Sequence, residues 1–115
     1  MRALGLEEGT IRKATFSSVA DVIKEFSRNS GSLAIIVSDA AEFKRLREKI
    51  KPEGLQLKLV IDEDYLEGDI PVYLLSNVHG MEFRNVIVID AGMTDNMRYI
   101  AYTRALEHLC IVIDA

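Results

Sequence analysis

Three stretches of this chain are apolar without alternation: LAIIV at 33–37, the core of NVIVID at 85–90, and LCIVI at 109–113. A strand with one wet face alternates apolar and polar residues, because successive side chains point to opposite sides. Unbroken apolar runs belong to strands covered on both faces, as in parallel sheets flanked by helices. Few other arrangements accommodate three of them in 115 residues.

The segments between these runs supply the helices. Residues 11–16 (IRKATF) are short and β-prone, a first strand. Ser17 or Ser18 can cap the helix that follows, and Ser18 with Asp21 forms an S-x-x-D capping signal. Val19, Val22, Ile23 and Phe26 then recur at helical spacing as one buried stripe. Residues 28–32 (RNSGS) carry turn chemistry. After the 33–37 strand, Asp39 is placed to cap a second helix with Phe43, Leu46 and Ile50 inward and Lys44, Arg47 and Lys51 on a solvated outer strip. Pro52 and Gly54 break the chain before a strand at 55–61 (LQLKLVI), and 62–69 (DEDYLEGD) is a polar loop. A strand at 72–76 (VYLLS) leads to the 85–90 strand. A last helix is expected over 95–108, with apolar stripes Met97-Ile100-Ala101-Ala105 and Tyr99-Tyr102-Leu106, buried on more than one side. The strand at 109–113 ends the set. This order gives an open, mostly parallel α/β sheet in one domain, residues 1–115, with no internal repeat or linker.

Composition narrows the function. Apolar residues make up 49% and charged residues 28% of the chain, a globular profile. No run approaches the length of a membrane span. The start MRALGLEEGT has acidic residues where an export signal needs an apolar core, and the single Cys110 fits a reducing interior, so a cytoplasmic location is expected. Cys110 itself reads as a small buried hydrophobe. The net charge of -4 argues against a domain that grips nucleic acid unaided, since phosphate contacts come from Lys and Arg.

Several chemistries fall away. LVIDED (59–64) ends an apolar run in Asp62 and Glu63, like the magnesium-holding strand of nucleotide hydrolases. That role needs a phosphate loop with a glycine-lysine pair, and none of the seven glycines is followed by lysine. Two histidines and one cysteine make no zinc set, so no metal ligands are expected in the chain. Two features remain. In GMEF, Gly80 permits close backbone approach or a left-handed turn, and Glu82 sits between apolar Met81 and Phe83. It is either a carboxylate that accepts hydrogen bonds from something specific, or an exposed acid on a surface turn. Arg104, in the apolar IAYTRAL, is either a helix-edge residue paired with Glu107 or a guanidinium that meets a phosphate.

Together these segments carry a resemblance. GMEFRNVIVI is similar to the G-L-E-F-x-x-V segment of superfamily 1 DNA helicases of the UvrD/Rep/PcrA type. RYIAYTRALEHL resembles their last motif, L-Y-V-A-x-T-R-A-x-x-x-L, in the same order and at the same separation. LAIIVSDAAEFKRL matches in pattern the strand and helix that open the same domain, and the closest branch is the HelD-like one. The resemblance implies a RecA-like three-layer fold with helices on both faces: the second motor domain, a fragment of a larger protein. It implies ATP with Mg2+ bound in a cleft shared with the N-terminal motor domain of the same parent, which would hold the phosphate loop and the metal ligands. Arg104 corresponds to the arginine that reaches the γ-phosphate, Glu82 to the glutamate on the nucleotide ribose, and Gly80 to the residue near the phosphates. Ser76, Asn77 and His79 fall where the family touches single-stranded DNA. The isolated chain is therefore expected not to hydrolyse ATP.

The chain also departs from the pattern. His79 stands where the family has lysine, Leu74-Leu75-Ser76 replaces a Thr-x-His, and Ser38-Asp39 follows the 33–37 strand where an arginine is common. These changes leave open a degenerate, non-catalytic domain that acts as a nucleic-acid or protein scaffold. A receiver- or flavodoxin-class domain, with Asp39 or Asp62 at a strand end, is a third alternative.

Overall fold

The computed structural model describes residues 10–60 and 69–114, and among them six strands form one parallel sheet. The strands are β1 (Thr10–Thr15), β2 (Leu33–Val37), β3 (Leu57–Leu59), β4 (Ile70–Leu74), β5 (Phe83–Ile89) and β6 (Ala105–Ile113). The helices are α1 (Val19–Phe26), α2 (Ala40–Ile50) and α3 (Asp95–Tyr102). The spatial order is β1-β6-β5-β2-β4-β3, with every neighbouring pair parallel.

Alternation splits each apolar run between two cores. Ile35, Val37, Ile87, Ile89, Cys110 and Val112 point to the face covered by α1 and α2, where they meet Val22, Ile23, Phe26, Phe43, Leu46 and Ile50. Ala34, Ile36, Val86, Val88, Leu109 and Ile111 point the other way, towards Ala101 of α3 and Leu75, Val78 and Met93 of the connections. Helices thus lie on both faces of a parallel sheet, the three-layer α/β arrangement that the resemblance implied. Burying so many aliphatic side chains is the main stabilising term, at roughly 1.5–3 kcal/mol per fully buried side chain before chain entropy is subtracted. Among the described residues no helix is long and apolar enough to cross a membrane.

Several boundaries differ from expectation. The last helix ends at Tyr102 rather than 108, and β6 begins at Ala105 rather than 109. Residues 105–108 complete the sheet: Ala105 registers against Phe83, and His108 against both Asn85 and Thr10. Pairing of buried backbone outweighs the helical pattern of TRALEH, because unpaired groups there would cost more than lost helix propensity. Nor is α3 buried on more than one side. Ala101 is its one buried residue, and Tyr99 is 59% exposed. β3 covers only three of the seven residues predicted, and β4 starts two residues early and gives way to a 3-10 turn at Leu75–Asn77. Asp39 caps α2 by accepting from the Glu42 N–H at 3.0 Å, whereas Ser18 makes no cap bond; its hydroxyl donates to the Thr15 carbonyl at 3.0 Å and closes a 3-10 turn ahead of α1. Asp62 and Glu63 lie outside the described residues.

Candidate functional site

Two connections cross the α3 face of the sheet side by side. The first, residues 75–82, runs from the carboxyl end of β4 back to the amino end of β5 with only a 3-10 turn in it. Leu75 and Val78 anchor it in the core, leaving Ser76, Asn77, His79 and Gly80 exposed. The Met81 N–H donates to the Val78 carbonyl at 3.0 Å, closing a turn in which Gly80 takes φ +79°. A side chain with a Cβ is strained in that left-handed region, which is why glycine stands there. The second connection is α3, capped by Thr94, whose hydroxyl accepts from the Met97 N–H at 3.2 Å. It returns the chain to the same amino-terminal edge at Arg104.

Arg104 joins the two. The Phe83 N–H donates to the Arg104 carbonyl at 2.8 Å, and Arg104 Nη1 donates to the Met81 carbonyl at 3.1 Å. The arginine therefore holds the turn on both sides of Glu82. Its Nε donates to the Ile100 carbonyl at 3.1 Å and its Nη2 to Thr103 Oγ1 at 3.2 Å. A guanidinium has five N–H donors, so two remain for another acceptor. Glu82 is exposed and has no hydrogen-bond or ion-pair partner among the described residues. Glu107 does not pair with Arg104; it takes Arg84, which donates to Glu107 Oε1 through both Nε and Nη2. The candidate residues thus divide. Gly80, Glu82 and Arg104 gather at the amino-terminal edge of β5 and β6, with His79 beside Gly80. Ser76 and Asn77 stand at the other end of the connection, just past the carboxyl end of β4.

Sequence reasoning passed over two polar groups that organise this region. Asn85 is fully buried: its Oδ1 accepts from Asn29 Nδ2, and its Nδ2 donates to the Ser30 and Ser32 carbonyls, each at 3.1 Å. Asp90, at the other end of β5, has an Oδ1 that accepts from Arg98 Nε and from the Tyr102 hydroxyl, both at 2.9 Å. Burial, then the bond to Asp90, pushes the Tyr102 hydroxyl up to about 12. Each flanks the apolar run 86–89, a position that shows a polar residue beside the core but not its partners. Among the described residues no group of three or more His, Cys, Asp or Glu is placed to hold a metal ion.

No protein-family model and no curated protein sequence matches the chain. Solved structures do match. The C-terminal domain of a possible DNA helicase from Lactobacillus plantarum WCFS1 superposes with a TM-score of 0.73 at 24% identity, over 93% of this chain and 73% of that one. Arterivirus nonstructural protein 10, a helicase solved with DNA, superposes with a TM-score of 0.60 at 16% identity, over 97% of this chain and 29% of that one. At these identities the likeness establishes the fold: the parallel α/β architecture of the RecA-like class.

Proposed function

We propose that this chain is the second motor domain of an ATP-dependent DNA helicase or translocase of the UvrD-like, HelD-related kind. It would supply Arg104 and Glu82 to an ATP site shared with an N-terminal motor domain of the same parent. The observation that supports this reading best is the grip of Arg104 on both flanks of Glu82, which makes one patch of the two segments that carry the resemblance. The donor set suits a nucleotide. Arg104 keeps two N–H groups for phosphate oxygens, and the Glu82 carboxylate, unpaired among the described residues, can accept from sugar hydroxyls. The space beside Gly80 is open, with nothing within 4 Å of where a Cβ would lie. ATP supplies the phosphoanhydride bond whose cleavage drives the cycle, and the Mg2+ ligands belong to the partner domain. Arg104 contributes charge that is already oriented, the way arginine fingers lower a phosphoryl-transfer barrier. Opening and closing of the shared cleft would then move the protein along single-stranded DNA, with Ser76 and Asn77 on the strand side.

One observation favours a second reading. Three Arg104 donors are already engaged within the fold, as in a structural brace. In that case the domain is a degenerate helicase-like scaffold for nucleic acid or protein. Assay of ATP turnover separates the two. The isolated chain should hydrolyse no ATP, while the polypeptide that joins it to a phosphate-loop domain should do so with stimulation by single-stranded DNA. Robust turnover by the isolated chain overturns the shared-site reading, and a joined polypeptide without turnover leaves the scaffold.

A further inference from the structure

α3 is too short to hold its own place. Eight residues form little more than two turns, below the length at which an isolated helix persists in water. Its apolar grip is also slight, since Ala101 alone is fully buried while Met97, Ile100 and Tyr102 are partly so. Two polar fastenings make up the difference. At the C-terminal end Arg104 bonds the Ile100 and Met81 carbonyls. The second is Asp90 at the end of β5, its side chain only 15% exposed. Arg98 and Tyr102 are four residues apart and share one helix face, so a single carboxylate oxygen at the end of β5 spans a full turn of α3. Arg98 Nη1 also donates to Asp95 Oδ1 at 2.9 Å, extending the fastening into the first turn.

We propose that Asp90 is a positioning residue for Arg104: by binding Arg98 and Tyr102 it fixes the rotation and axial placement of α3, and so the direction in which the Arg104 guanidinium meets the turn at Gly80 and Glu82. The raised Tyr102 hydroxyl is consistent with this role, because the donor keeps its proton throughout the neutral range. The inference rests on the reading of Arg104 as the phosphate-contacting group, but its geometry is testable without ATP.

The test is NMR on this chain, following the Arg104 Nε–H, identified by its loss in Arg104→Lys. In Asp90→Ala the exchange of that proton should accelerate about tenfold or more and its chemical shift should move, while amides of Ile87 and Val88 stay protected. Asp90→Asn, which keeps an acceptor oxygen, should restore most of the protection. Arg104 Nε–H exchange within about twofold of wild type in a folded Asp90→Ala would overturn the proposal. Should Asp90→Ala fail to fold, Tyr102→Phe decides. It keeps the ring and removes one donor, and an unchanged Arg104 signal there overturns the proposal equally. Failure of the ATP reading shows instead as unaltered turnover in Arg104→Ala, with the Asp90 coupling intact.

Discussion

Asn85 is fully buried and makes three side-chain hydrogen bonds at 3.1 Å, to Asn29, Ser30 and Ser32, which tie the turn after α1 to the start of β5. Asn85→Ala removes all three. At about 1 kcal/mol net for each bond the loss is about 2–3 kcal/mol, the lower figure applying if water replaces the amide at Ser30, an exposed residue. The Ser32 carbonyl keeps its bond from the Asn85 N–H at 2.9 Å and so does not become an orphan. Asn29→Ala deletes only one of the three and should cost about 1 kcal/mol or less. In urea unfolding followed by circular dichroism, Asn85→Ala should lower the midpoint by about 1–2 M, given a denaturant slope near 1.5 kcal/mol/M. Asn85→Asp should be worse at neutral pH, because a buried carboxylate would face two carbonyl oxygens. That environment raises its folded-state pKa, so stability is retained at low pH and lost as pH rises through the carboxyl range. A midpoint for Asn85→Ala within about 0.3 M of wild type would refute the clamp as an energetic element.

Three further outcomes follow from the same geometry. Asp39→Ala removes the α2 cap bond to the Glu42 N–H and should cost about 1 kcal/mol in thermal unfolding, whereas Ser18→Ala, at a position with no cap bond, should cost less. Tyr102 should ionise near pH 12 by ultraviolet titration. Its folded-state pKa lies above the ordinary 10, so the stability it contributes is present below pH 10 and is lost as pH rises from 10 to about 12. Gly31→Ala should destabilise the α1–β2 turn by about 1–2 kcal/mol, because Gly31 has φ +94° and the Arg84 stem crosses where a Cβ would lie. Urea unfolding checks this last expectation, and Gly31→Ala at wild-type stability would contradict it.

The architecture was legible because the strands announce themselves. LAIIV, NVIVID and LCIVI carry enough buried surface to define strands covered on both faces, and β2 occupies the 33–37 predicted for it. The Asp39 cap and the inward stripe of α2 were legible for a similar reason, since a side chain four residues along a helix has little choice of face. What was hidden depends on partners distant in sequence. TRALEH reads as helix by itself; the entry of its last four residues into β6 comes from Phe83, Asn85 and Thr10, which lie 22 or more positions away. Asn85 and Asp90 carry no motif in the sequence, because their bonds to Ser30 and Tyr102 exist only after folding. At the candidate site, sequence proposed Gly80, Glu82 and Arg104 but could not show the bond that brings their segments together. Arg104 to the Met81 carbonyl joins positions 23 apart, and spacing alone suggested Glu107 as the partner instead.

Steady-state ATP turnover of Arg104→Ala and Arg104→Lys tests the shared-site reading most directly, in a polypeptide that joins this chain to the proposed phosphate-loop domain. Thermal unfolding of the isolated chain, run alongside, separates the brace from the finger. Loss of three hydrogen bonds from a half-buried guanidinium should lower stability by about 1–3 kcal/mol in Arg104→Ala. Turnover should fall about 10³-fold or more while both variants stay folded, with Arg104→Lys little better than Arg104→Ala because a point charge does not reproduce the planar fork. Turnover unchanged in a folded Arg104→Ala would contradict the shared-site reading and leave Arg104 as a brace alone.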